Sequence, residues 1–109
     1  ERDFTYVDDI VDGVIRIASG GQVQSLEVPH RIYNIGNNRP ERLGHFVDGL
    51  EDVIGRKAVR NYLPMQPGDV PANFADITAI RQDYGFEPTT TIDQGLARFV
   101  GWYRQYFNA

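Results

Sequence analysis

Asp3-Phe4-Thr5-Tyr6-Val7, running without a break into Asp8-Asp9-Ile10, decides the fold class. The first five residues are rich in β-formers and read as a strand. Two carboxylates then suit a helix N-terminus, where unpaired N–H groups carry partial positive charge. Ile10, Val14, Ile17 and Ala18 follow at helical spacing, and Gly20-Gly21 ends the helix. A strand feeding directly into an amphipathic helix is the building unit of an α/β protein.

The alternation continues outward from there. Residues 22 to 31 read as a surface loop, and Ile32-Tyr33-Asn34-Ile35 as a short strand stopped by Gly36-Asn37-Asn38. Leu43, Phe46, Val47, Leu50, Val53 and Ile54 form the apolar stripe of a second helix, closed by Gly55. Ala58 to Leu63 reads as a third strand, and Pro64 to Pro71, with three prolines and a Gly-Asp, as a loop. Asp76 caps a short third helix that Gly85 stops. Thr91-Ile92-Asp93-Gln94 is a capping box, in which hydroxyl and amide satisfy each other's orphan backbone donors. The helix after it carries Ile92, Leu96, Phe99, Val100, Tyr103 and Phe107 on one face, a spacing that predicts core positions.

Three short strands and four helices make a thin sheet with exposed edges, which ordinarily needs more strands beside it. The strand-like run is already under way at Glu1, and the one methionine is Met65. The chain therefore reads as a single portion, residues 1–109, of a longer protein.

Composition excludes several functions. The 109 residues are 41% hydrophobic and 24% charged, with a formal net charge of −4. An acidic balance argues against nucleic acid or an anionic membrane as partner, since both select clustered basic residues. The absence of cysteine rules out disulfides, thiolate nucleophiles and zinc–thiolate sites, and fits a cytoplasmic setting. No apolar run approaches the roughly 20 residues of a membrane span.

The candidate ligand-binding residues cluster in two places. Pro67-Gly68 favours a type II turn, so Asp69 stands on a tight loop. There it either accepts hydrogen bonds from a ligand's hydroxyls or caps its own turn. Arg2, at a strand start, is placed either as a clamp on a phosphate or as a solvated arginine. His30 and His45 stand alone and read as surface residues. Asp8, Asp9 and Asp12 are explained by helix capping and solvation better than by a metal. Lys57 is the only lysine and Val53 stands four residues before it, so there is no Tyr-x-x-x-Lys pair. No glycine-rich dinucleotide loop follows a strand either. Catalytic, cofactor-binding and metal-ligating residues are thus all expected to be absent from these 109 residues.

Several stretches resemble the extended short-chain dehydrogenase/reductase family of nucleotide-sugar epimerases. They are Arg2 to Val11, Tyr33-Asn34-Ile35-Gly36, Met65-Gln66-Pro67-Gly68-Asp69-Val70-Pro71-Ala72, Ala75-Asp76, Tyr84 to Thr90 and Gly95 to Tyr103. Within the family the Met-Gln-Pro-Gly-Asp-Val segment and the Phe-Val-x-Trp-Tyr ending are most like UDP-glucuronate 4-epimerases. The likeness covers about the last third of a family member.

The resemblance implies that the fold is the C-terminal substrate-binding portion of an extended Rossmann-type epimerase, with the N-terminal NAD-binding domain absent. It implies a transient oxidation at C4 of a UDP-sugar, interconverting UDP-glucuronate and UDP-galacturonate. In the family, NAD and the tyrosine–lysine pair belong to the missing lobe, so this portion alone is expected to be inactive and to bind no cofactor. The full-length protein is expected, on the same likeness, to be a homodimer. Arg2 matches the family arginine that contacts the diphosphate and Asp69 the acid that binds the ribose hydroxyls. Phe4 sits where an aromatic lines the family's nucleotide pocket. Gln66 and Asn73 occupy contact positions with altered chemistry. Two alternatives stay open: a dehydratase, decarboxylase or reductase of the same family, and a stand-alone nucleotide-binding or interaction module without catalysis.

Overall fold

The computed structural model describes residues 1–21, 23 and 30–109; most of the loop expected at 22 to 31 lies outside them. Four helices follow in order: α1 (Val7–Ser19), α2 (Leu43–Ile54), α3 (Thr78–Tyr84) and α4 (Ile92–Phe107). Each ends where local chemistry dictates. Asp8 and Asp9 occupy the first turn of α1, where the helix dipole favours negative charge. Gly55 and Gly85 close α2 and α3 in the left-handed region, at φ 77° and 63°, a conformation that costs glycine nothing. Asp76 Oδ1 accepts the Thr78 N–H at 2.9 Å and so satisfies one orphan donor of α3. Before α4, Gln94 N donates to Thr91 Oγ1 and Thr91 N to Gln94 Oε1, completing the capping box.

The helices pack in two pairs, α2 on α4 and α1 on α3. Gly49 of α2 lies so close to α4 that a Cβ on it would come 2.7 Å from Leu96 Cδ1. The second pair shares a core of Ile77, Ile80 and Phe86, flanked by Ile17, Tyr33, Ile35, Ala75 and Tyr84. Full burial of side chains this size is worth about 1.5–3 kcal/mol each. Buried Asp9 ties the two halves together: its carboxylate accepts from Thr89 Oγ1 at 3.1 Å and from the buried Thr90 N–H at 3.0 Å. That corrects the reading of Asp9 as a solvated capping residue.

The three expected strands are not formed among the described residues. Residues 3–6, 32–35 and 58–63 belong to no ladder, and the first helix begins within the expected first strand, at Val7. The pairing that is present is one antiparallel bridge, with Arg2 N donating to Glu41 O and Glu41 N to Arg2 O, both at 2.9 Å. A strand is defined by a partner about 4.8 Å away, and these segments have none among the described residues. The period-two pattern survives without the ladder: Tyr33 and Ile35 are half-buried on the core while Ile32 and Asn34 face solvent. The α/β expectation is therefore met in its helices and not in its sheet.

Two apolar stripes are also less buried than their spacing predicts. On α4, Ile92, Leu96 and Val100 are buried, but Phe99, Tyr103 and Phe107 are 47%, 45% and 55% exposed. On α1, Val14 is likewise exposed. Periodicity places residues on one face of a helix; a partner long enough to cover that face is a separate condition. Here α2, with 12 residues against 16, covers only part of α4. The Cα radius of gyration is 17.3 Å, against about 13 Å for a compact domain of this length.

Candidate functional site

The loop 66–76 is built on a turn that local sequence specifies. Asp69 N donates to Gln66 O at 3.1 Å, and Gly68 sits at φ +87°, the conformation that a type II turn demands at its third residue. The turn raises Asp69 toward Arg2. The Arg2 guanidinium donates to Asp69 Oδ1 at 2.6 Å and to Val70 O at 2.8 Å. Asp69 Oδ1 also accepts the Val70 N–H at 2.9 Å, so the carboxylate caps its own turn and holds the arginine at once. Both side chains remain open to solvent, at 33% for Arg2 and 47% for Asp69.

The other sequence candidates are placed differently. Asn73 N donates to Glu1 O at 3.3 Å, which brings the far side of the loop against the start of the chain. A pocket of about 240 Å³ opens beside Asn73, Gly36, Ala75 and Asp3. Gln66 takes part through its backbone carbonyl. Phe4 points elsewhere: it stacks on Phe46 with centroids 4.4 Å apart and lines a separate, mainly apolar pocket of about 310 Å³ with Ile92, Leu96 and Phe99. Arg2, Asp69 and Asn73 are thus gathered around one loop, while Phe4 belongs to the α2–α4 side.

A residue that sequence reasoning passed over organises this region. Asp3 Oδ1 accepts the Asn37 N–H at 3.1 Å, and Oδ2 accepts the N–H groups of Asn38 at 3.1 Å and Ala75 at 3.0 Å. Gly36 permits this approach, because a Cβ there would come 2.6 Å from Asp3 Oδ2 and 2.5 Å from Ala75 Cβ. The signal was the Gly36-Asn37-Asn38 run, in which Asn38 takes φ +53° and consecutive N–H groups converge on one anion.

A second charged cluster lies on α2. Glu51 is buried and accepts from Lys57 Nζ at 2.9 Å, Ala58 N at 3.0 Å and Arg60 Nε at 3.2 Å. Those bonds, the lysine's first, hold its carboxyl down at about 2. His45 is half-exposed, with its Nδ1 2.9 Å from Glu41 Oε2, a hydrogen bond that raises its pKa. These groups fasten segments to one another and face neither of the two pockets.

The residues that immediately precede the four helices are Tyr6, Arg42, Ile77 and Thr91, and none opens from the glycine-rich turn that a pyrophosphate needs. No group of three or more His, Cys, Asp or Glu with metal-site geometry occurs among the described residues. No helix described is long and apolar enough to cross a membrane.

No family model matches the chain. Protein CapI of Staphylococcus aureus is 42% identical over 97% of this chain and 35% of its own length. UDP-glucuronate 4-epimerase 1 of Arabidopsis thaliana is 41% identical over 97% of this chain and 27% of its own. Among solved structures, the UDP-glucuronic acid 4-epimerase of Bacillus cereus, in complex with UDP-glucuronic acid and NAD, superposes with a TM-score of 0.80. It is 25% identical, over 95% of this chain and 32% of that one. The chain spans about a third of the length of the curated relatives it matches. Over nearly its whole length, the chain matches the C-terminal part of an extended short-chain dehydrogenase/reductase epimerase of the UDP-glucuronate 4-epimerase kind.

Proposed function

We propose that residues 1–109 are the substrate-gripping portion of an NAD-dependent epimerase that interconverts UDP-glucuronate and UDP-galacturonate by transient oxidation at C4. The single observation that carries this reading is the exposed Arg2–Asp69 pair on the rim of the loop 66–76. An exposed ion pair is worth only about 0–1 kcal/mol, so the two charges are cheaply re-aimed at a ligand. The guanidinium then offers bidentate donors to a diphosphate, and the carboxylate accepts from ribose hydroxyls. Asn73, bordering the adjoining pocket, and Gln66, at the start of the turn, flank that ligand. Phe4, stacked on Phe46, lines the neighbouring apolar pocket and contributes shape there more than contact with the diphosphate.

Grip on the nucleotide has a chemical purpose. The sugar must present both faces of C4 to the hydride carrier, so strong bonds belong on the part that does not react. The sequence carries neither a Tyr-x-x-x-Lys pair nor a glycine-rich dinucleotide loop. NAD and proton transfer therefore fall to a further lobe, and this portion alone turns nothing over. Ladderless segments 32–35 and 58–63 and the exposed Val59, Tyr62 and Leu63 are accounted for if that lobe covers them.

The test is a calorimetric titration of UDP into the full-length enzyme and its Arg2→Ala and Asp69→Ala variants. Each loses a charge-assisted hydrogen bond, about 1.5–3 kcal/mol, so affinity should fall about tenfold to a hundredfold. KM for the UDP-sugar should rise while kcat and NAD content hold. UDP affinity within about twofold of wild type in both variants would overturn the assignment.

A further inference from the structure

We infer that Asp3 is a positioning residue of this site, acting on the nucleotide through Arg2 and the loop 66–76 without touching it. The inference rests on the substrate-grip reading. Arg2 and Asp69 are too exposed to order one another, since an ion pair in contact with water contributes little. Their placement must come from the backbones that carry them, and three of those meet on one carboxylate.

Asn37 and Asn38 lead to Glu41, whose backbone exchanges two hydrogen bonds with Arg2. Ala75 ends the loop that bears Asp69. Asp3, next to Arg2 in the chain, accepts from all three N–H groups, at 3.1, 3.1 and 3.0 Å. The start of the chain, the turn at 36–38 and the loop 66–76 are therefore pinned to one point.

The residue type is set by the geometry. Both oxygens must accept and neither must donate, which an ionised carboxylate alone provides among side chains of this length. Asparagine keeps the shape but turns an NH₂ toward one of the three N–H groups. With its carbonyl at the Oδ2 position it retains Asn38 and Ala75 and leaves the N–H of Asn37, a buried residue, facing a donor. Gly36 seals the arrangement from the other side, with no room for a Cβ between Asp3 and Ala75.

The experiment compares the full-length wild type with Arg2→Ala, Asp3→Asn and the double variant, titrated with UDP and assayed for turnover. Asp3→Asn should weaken UDP about tenfold and raise KM with kcat held. In the Arg2→Ala background only its effect through the Asp69 loop remains, so it should add clearly less than about tenfold, because residues acting through one another are not additive. Full multiplication of the two effects marks a merely structural role and overturns the inference. If Arg2→Ala weakens UDP but Asp3→Asn does not, the inference fails and the substrate-grip reading stands. If neither weakens it, both fail. A measurement on the wild type covers the case in which Asp3→Asn does not fold. UDP should slow amide exchange at Asn37, Asn38 and Ala75 together with Asp69 and Val70. Slowing at Asp69 and Val70 alone would overturn the inference.

Discussion

Replacing Asp9 separates a buried hydrogen-bond hub from a helix-capping charge. Asp9 is 5% exposed and Thr90, which donates its N–H to Asp9 Oδ2, is 6% exposed. Asp9→Ala removes both acceptors. Two charge-assisted bonds go, and a buried N–H is left unpaired at a cost of about 1–3 kcal/mol. Allowing for partial rescue by water, about 3 kcal/mol is expected in all. Asp9→Asn is nearly the same shape. Its carbonyl at the Oδ2 position keeps the Thr90 N–H, and its NH₂ donates to Thr89 Oγ1 in place of the present bond. Only charge assistance is lost, about 1 kcal/mol. Urea unfolding of the full-length protein reads the difference. With a slope of about 1–3 kcal/mol per M, the midpoint should drop by about 1–3 M for Asp9→Ala and by less than about 1 M for Asp9→Asn. If Asp9 acted only as first-turn charge on α1, both variants would lose the same few tenths of a kcal/mol. Equal effects in the two variants would refute the hub.

Glu51, held at about 2 by Lys57, Ala58 N and Arg60, sets a pH dependence. Its pKa is depressed from 4.5, so the stability it lends is complete above about 4.5 and is lost as pH falls through about 2. A carbon-13 titration of the Glu51 carboxyl should give a midpoint near 2 that Lys57→Ala raises; a midpoint at an ordinary glutamate value would contradict the structure. By itself the 109-residue chain should self-associate, since Trp102, Tyr106 and Phe107 are 52%, 67% and 55% exposed on one end of α4. Sedimentation at several concentrations checks this, and a single concentration-independent monomer species would count against it.

The helices were legible residue by residue because their signals are local. Gly55, Gly85 and the Thr91–Gln94 box stand within one turn of the ends they define, and all three ends lie where the sequence puts them. The turn at Gln66–Asp69 is local in the same sense: a glycine at the position needing positive φ settles it. The resemblance to nucleotide-sugar epimerases was likewise carried by short runs of residues.

Partnership across the chain was not legible. The β-rich segments name strands but not neighbours, and a ladder exists only where another backbone supplies the bonds. The stripe on α4 names a face but not how far a partner covers it. Asp3, Asp9 and Glu51 looked alike as acidic residues in ordinary surroundings. Their donors lie up to 81 positions away in the chain for Asp9, 72 for Asp3 and only 6 to 9 for Glu51. The sequence by itself determined the helices, the turn and the family likeness, since each depends on residues within a few positions of one another. Only the tertiary structure decided which carboxylates are buried hubs and that Arg2 meets Asp69, because hydrogen bonding acts over about 3 Å whatever the separation along the chain.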